Sequence, residues 1–504
     1  MKRTGTILLF FLFFLIAGGI LTGCDVKRAE SGGEQRVSVD EKEPDDLKDE
    51  ALPQILDLSV KTVYTDKNIG EAYFSVEYPL YSLAAPSAEE YRELKNRLSA
   101  IHAEMQKHTE NLQANFEQAV SERQNLSYYR EGFVTRADTK VVSFYERSRQ
   151  YEGRDSKLKE AEIHTRNIDA STGKELRFSD VFRDTESLPE QIAEAVKKAY
   201  PRQEFYPEME KLIRQSVENN DGDVCFALGY GGVHIFAAEF LLSNEPGGHQ
   251  VTLPYAADSS LVRTPYTKAP SEYILPLDYD MSYFPAGLPG GFSMSFLEDE
   301  EGMDPLWVIR MEDSETPVYE ESLYDYEPNC FFVHIRGNNY LYVQLPSGDV
   351  SVMSDIYQLT KQKATLLDPI DSGILPETIL HPNRIRMSLN RHIYAGSAMM
   401  APCGVYRIGE DGRPQPASNV YDLSGNKLSL RKACRAKEAD PKDPAAAGGM
   451  LELAAGTILQ PYRTDMESWI DFITEDKQIC RFGIDTFSDE MQLDDLGGLE
   501  DLFE

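Results

Sequence analysis

Cys24 is the residue whose surroundings define a reaction most sharply. It follows Leu21-Thr22-Gly23, an apolar run from Ile7 to Ile20, and a basic start at Lys2 and Arg3. A thiol in that setting is the acceptor for a lipid thioether, and the pattern is that of a bacterial lipoprotein signal peptide. Gly18 and Gly19 interrupt the run, which falls short of the about 20 apolar residues that a membrane span needs. The expectation is a cleaved segment 1–23 and a mature chain anchored in the cell membrane through a palmitate-type lipid on Cys24, facing outward.

Other chemistry-bearing residues are scattered. The chain has no G-x-S-x-G, H-E-x-x-H, P-loop or G-x-G-x-x-G pattern, so no catalytic residue, cofactor or metal site is assigned. His164 and His234 fall in expected strands that could approach each other, and two ordinary strand histidines are the better reading. Asn220, Asp221 and Asp223, and Asp278 with Asp280, are the acidic groupings closest to an oxygen-ligand set, but neither has the twelve-residue calcium-loop spacing. Solvated turns are expected there instead. Trp307, Tyr319, Tyr324, Tyr326, Tyr340 and Tyr342 concentrate aromatic surface that could stack on sugars or anchor a protein, with core packing the simpler use.

Besides Cys24, five cysteines remain: Cys225, Cys330, Cys403, Cys434 and Cys480. An odd number without C-x-x-C spacing leaves at least one unpaired and argues for small buried hydrophobes, with a Cys403 to Cys434 bridge as one option. The 504 residues are 41% hydrophobic, enough for two or three domains. Removing residues 1–23 leaves 49 Lys and Arg against 84 Asp and Glu, a formal charge of −35. Nucleic acid and anionic lipid surfaces are poor partners for that balance, whose commonest meaning is a solvated surface, with attraction of a basic protein as the lesser reading.

The elements that must position these residues are read from periodicity. Residues 24–54 are polar and charged, an acidic tether without a core. Residues 55–265 read as an α+β domain, an antiparallel sheet with packed helices. Its strands are expected over Ile55 to Thr65, Ala72 to Tyr81, Tyr128 to Thr135, Lys140 to Tyr151, Glu160 to Asp169 and Lys174 to Phe178. Two helices follow capping-box spacings at Ser87/Glu90 and Ser187/Glu190, and a third runs over Met209 to Val217. His102 and His108 lie off the apolar stripe of the first helix, where solvent is expected. A hairpin at Gly231-Gly232 and a strand from His249 to Tyr255 close the unit. Residues 266–395 read as all-β, partial propeller-like or sandwich, and 396–504 as a small C-terminal β module with a mobile loop at Lys437 to Gly449.

Several pieces in order carry a resemblance: Val141 to Gly153, Asn167 to Phe182, Gly229 to Phe240 and His249 to Tyr255. They resemble the domain of unknown function 3298 of RsiV-type anti-sigma factors and of PdaC-type peptidoglycan deacetylases, where it is an accessory region. Residues 55–135 are similar to the small domain that precedes it. Gly456 to Asp485 is similar to the C-terminal part of clostridial surface lipoproteins, and more distantly to SH3-like wall modules. Where the family places Gly-Gly-Ala-His, this chain reads Gly153-Arg154-Asp155, so no role of that histidine carries over. The resemblance implies a Gram-positive, lipid-anchored, non-catalytic binding or sensing ectodomain. Its ligand would be a cell-wall glycan or a basic protein of the lysozyme kind. The alternative is a peptidoglycan-modifying enzyme or its accessory factor.

Overall fold

A computed structural model describes residues 51 to 503 apart from 70–71, 120–124, 154–155, 246, 280, 286–287, 289, 298–305, 313, 319–327, 348–350, 376, 396–397 and 487–490. Cys24, the signal segment and most of the tether therefore lie outside the described residues, as do Asp280, Tyr319, Tyr324 and Tyr326.

Five strands make the first sheet: β1 (Leu58–Ile69), β2 (Ala72–Leu83), β3 (Leu126–Ala137), β4 (Val141–Glu152) and β5 (Lys157–Asp169), hydrogen-bonded in that order. The expected antiparallel sheet needs one correction, because β2 and β3 run parallel, with Phe74 beside Leu126 and Glu77 beside Tyr129. The cause is the connection: α1 (Ser87–Glu90) and the 28-residue α2 (Arg92–Ala119) return the chain to its starting edge, a crossover only parallel strands require. On the face toward α2, Phe74, Val76, Tyr78, Leu126 and Tyr128 pack with Met105 and Phe116.

The expected strand at Lys174 to Phe178 is reduced to a single bridge between Glu175 and Ile168, and the chain turns into α3 (Phe178–Val181). Neither capping box forms. Pro86 caps α1 while Ser87 Oγ accepts the Asp57 N–H at 3.2 Å. Ser187 precedes α4 (Leu188–Ala199) without a side-chain cap, since Asp184 Oδ1 takes the N–H groups of Glu186 and Ser187. With α5 (Met209–Asn219), α4 covers one face of a three-stranded meander of β6 (Val224–Leu228), β7 (Gly232–Ala237) and β8 (His249–Pro254). Gly231 at the β6–β7 turn tolerates no side chain, because a Cβ there would sit 1.3 Å from the Phe284 carbonyl oxygen.

Beyond the short helix Thr264–Thr267 the described elements are strands until the helix Leu499–Leu502. A four-stranded meander, β10 (Ser282–Tyr283), β11 (Phe292–Leu297), β12 (Leu306–Met311) and β13 (Ser314–Val318), is inserted after β9 (Glu272–Pro276). Strand β9 then pairs with β14 (Asn329–Ile335), followed by β15 (Asn338–Ser347), β16 (Ser351–Leu359) and β17 (Ala364–Leu366) in a second five-stranded sheet. A fourteen-stranded sheet takes the remainder, from Ser372–Ile374 to Gly497–Gly498. The whole is mostly β, 50% strand and 17% helix, with several sheets and a half-barrel. The α+β description fits its first part only loosely.

Glu50–Glu504 forms one compact unit. Leu58, Val134 and Phe144 of the first sheet share a core with Val333, Tyr342, Ile385 and Ile408. Ala395 ends the strand Ile393–Ala395, which pairs with Ala398–Ile408 just after it. The loop expected to be mobile is tied at three carbonyls: Arg463 Nη2 donates to Asp440 O at 2.7 Å, Arg463 Nη1 to Pro441 O at 3.3 Å, and Arg481 Nη1 to Pro444 O at 2.7 Å. Both arginines are held by the buried Asp471.

Candidate ligand-binding face

Strand alternation divides the first sheet into two surfaces, and the one away from α2 is covered over only half its length. Register places Ser127, Tyr129, Glu131 and Phe133 of β3 opposite Tyr151, Arg149, Arg147 and Tyr145 of β4. The last four sit in turn opposite Leu158, Ala161, Ile163 and Thr165 of β5. Glu77 and Ser75 flank Tyr129 and Ser127 from β2.

At the covered end, small polar side chains meet the edge of β6. Asn167 Nδ2 donates to Phe226 O at 2.6 Å, the Leu228 N–H donates to both Asn167 Oδ1 and Ser143 Oγ at 2.9 Å, and Thr135 Oγ1 donates to Leu228 O at 2.8 Å. These bonds satisfy backbone groups that no neighbouring strand could reach. Tyr145, stacked on Phe133 at 5.1 Å and against Phe236 at 4.7 Å, marks the limit of the cover.

Past that limit the face opens into a cleft of about 690 Å³. Arg147, Arg149, Leu158, Ala161 and Ile163 form its floor, and Asp221, Asp223, Phe236 and Glu239 stand along its wall. A second hollow of about 250 Å³ continues it across the sheet over Glu77, Tyr129, Glu131 and Tyr151, the two sharing Arg147 and Arg149. Tyr129 and Tyr151 meet edge to face at 6.0 Å, and farther along Tyr64 and Tyr73 join their hydroxyls at 2.7 Å. Arg147 is fixed from below: Asp278 accepts at 2.9 Å from Nη1, and Gln250 Oε1 at 2.7 Å from Nη2. Tyr145 OH also donates to the Asp278 carboxylate.

The titratable groups here are tuned away from proton or acyl transfer. Burial pushes the Cys225 thiol up to about 11, so it stays protonated at neutral pH. Burial, then the nearby Arg130 and Arg166, brings His164 down to about 4. Register puts His164 opposite Glu146, on the surface facing α2, where its Nε2 lies 3.0 Å from Glu162.

The structure does not unite the histidine pair. His234 is buried, bonded through Nδ1 to Thr252 Oγ1 at 3.0 Å, and lines a separate small hollow with Tyr230, Tyr283 and Phe332. His102 is half-buried with its ring 6.0 Å from Tyr78 rather than solvated, while His108 is exposed as expected. Asp221 Oδ1 closes the turn after α5 by accepting from Ser216 Oγ and from the Asp223 N–H. Asp278 is committed to Tyr145 and Arg147. Among the described residues no three His, Cys, Asp or Glu side chains group as metal ligands. The Cys403 to Cys434 bridge does not form: all five described cysteines are free, and Cys403 Sγ accepts from Arg386 Nη2 at 3.1 Å. Trp307, Tyr340 and Tyr342 are core residues. Among the described residues the most exposed tyrosines lie instead at 64 and 129, on the first sheet, and at 394.

No family model and no curated protein matches the chain. Among solved structures it is similar to a DUF3298 family protein from Pseudomonas aeruginosa PAO1, with 15% identity, 43% of this chain and 99% of that one covered, and a TM-score of 0.31. It is also similar to a DUF3298 family member from Bacteroides fragilis NCTC 9343, with 10% identity, 42% and 95% covered, and a TM-score of 0.29. Structural neighbours of the chain are thus DUF3298 family proteins.

Proposed function

We propose that the chain is a non-catalytic binding protein, held on the outer surface of a Gram-positive cell membrane by a lipid on Cys24, that takes a wall or protein ligand on the open half of its first sheet. The anchor rests on Leu21 to Cys24 and the apolar run before it. Binding rather than turnover rests on one observation: the cleft's thiol is driven up to about 11 and the nearest histidine, driven down to about 4, faces the other way. Rings and charges on rigid strands remain, which position a ligand without activating it. Incubating the purified chain with cell wall tests this. Retention on the wall without released acetate or soluble muropeptides is expected, and release of either overturns it in favour of a peptidoglycan-modifying enzyme. Cys24→Ala is expected to free the protein from membranes, and unchanged membrane association overturns the anchor.

A further inference from the structure

Resting on that binding reading, we infer that the open half of the first sheet takes an uncharged, extended chain of N-acetylated amino sugars lying across the strands. Tyr64 on β1 and Tyr129 on β3 are 55% and 39% exposed, and Tyr151 on β4 stands beside Tyr129 on the same surface. A tyrosine ring offers an apolar face with a polar tip, which matches the C–H face and hydroxyl rim of a sugar. Tyr129 has planar hydrogen-bonding groups on both neighbouring strands, Glu77 and Arg149. Directly opposed side chains lie about 5 Å apart, close enough for a carboxylate and a guanidinium to accept from and donate to one sugar. Strands are about 4.8 Å apart, close to the advance per sugar in an extended β-linked chain. A glycan crossing the strands along this register therefore meets Tyr64, Glu77, Tyr129, Arg149 and Ala161 in turn.

Charge narrows the ligand class. Asp221, Asp223 and Glu239 along the wall, with Glu77 and Glu131 on the floor, oppose a polyanion. A neutral polymer meets no such penalty. The apolar patch of Leu158, Ala161 and Ile163 at the cleft end fits the methyl of an acetamido group. A protein ligand would instead seek a desolvated anchor pocket for an aromatic or arginine side chain, and the rings of Tyr64 and Tyr129 stand exposed on the strands.

The test is calorimetric titration of the full chain with N-acetylglucosamine oligomers of two to six sugars. Affinity is expected to rise with each sugar up to the width of the sheet and then level. Tyr129→Ala and Tyr151→Ala should each weaken hexamer binding roughly tenfold, with Tyr129→Ala leaving the melting temperature unchanged as the check on folding. Equal affinity at all lengths, wild-type affinity in both variants, or no oligomer binding overturns the inference. If a basic protein such as lysozyme binds instead, and Tyr129→Ala weakens it, the glycan falls while the binding reading stands. Cleavage or deacetylation of the oligomers removes the binding reading itself.

Discussion

The two ends of one sheet surface are built from the same three strands and have opposite fates. Toward Asn167 the surface carries Thr135, Ser143 and Tyr145, and β6 lies against it. Toward Leu158 it carries Tyr129, Arg149 and Tyr151, and nothing described lies against it. Hydrophobicity does not separate the ends, since rings occur at both. Reach and charge do. A hydroxyl or a carboxamide on a short side chain can meet a backbone edge at hydrogen-bond distance, and an arginine or a tyrosine at that position would hold the edge away. Arg147 sits at the division, its guanidinium on the cleft floor and its carboxylate partner Asp278 buried.

The largest expected effect follows from that position. Asp278→Ala would leave the Tyr145 hydroxyl and the Arg147 guanidinium without the carboxylate that both use. Removing one member of a buried charge pair costs about 4 kcal/mol. Urea denaturation should show a loss of that size, together with weaker ligand binding, because Arg147 would no longer be held on the floor. A loss under about 1 kcal/mol would mean that the division between the ends is not set by this pair.

How far this was legible in the sequence can be judged from particular residues. The period-two alternation of β1 to β5 marks those strands to within a few residues, and Gly231-Gly232 marks the hairpin between β6 and β7. The parallel pairing of β2 with β3 is not written in either strand. It follows from where α2 sends the chain. Ser143 and Asn167 look like ordinary polar strand positions, because their partner is backbone some 60 to 85 residues away. Tyr128 and Tyr129 are adjacent and chemically identical, yet one is buried against α2 and the other lies on the open floor. Only register separates them, and register is a property of the assembled sheet. Local density of aromatic residues points instead to 307 to 342, whose described members Trp307, Tyr340 and Tyr342 are core.

Acid should weaken both the cover and the sheet beneath it. His234 lies on β7, is 3% exposed, and burial lowers it to about 4 from its ordinary 6.5. The folded chain therefore takes up this proton less readily than the unfolded chain, so the associated stability is complete above about pH 6.5 and is lost as pH falls toward 4. The difference corresponds to about 3 kcal/mol. Burial also lowers His164 on β5, His249 and His334, which adds in the same direction. Denaturation midpoints measured from pH 7 to 4.5 should fall, and His234→Gln should flatten the slope whatever it does to stability at pH 7. An unchanged slope in that variant would move the acid sensitivity away from the cover.

The smallest expected effect belongs to the open end. Leu158 is 56% exposed at the tip of β5, opposite Tyr151, and lines the larger cleft. A side chain that already faces water has little transfer free energy left to lose, so Leu158→Ser should shift stability by no more than about 0.5 kcal/mol. If its apolar surface is kept for a ligand, the same substitution should cost binding without costing folding. Melting and titration of the one variant therefore report on the two roles separately. A drop of more than about 1 kcal/mol in stability would show that the open end is packed against part of the molecule and is not a free floor.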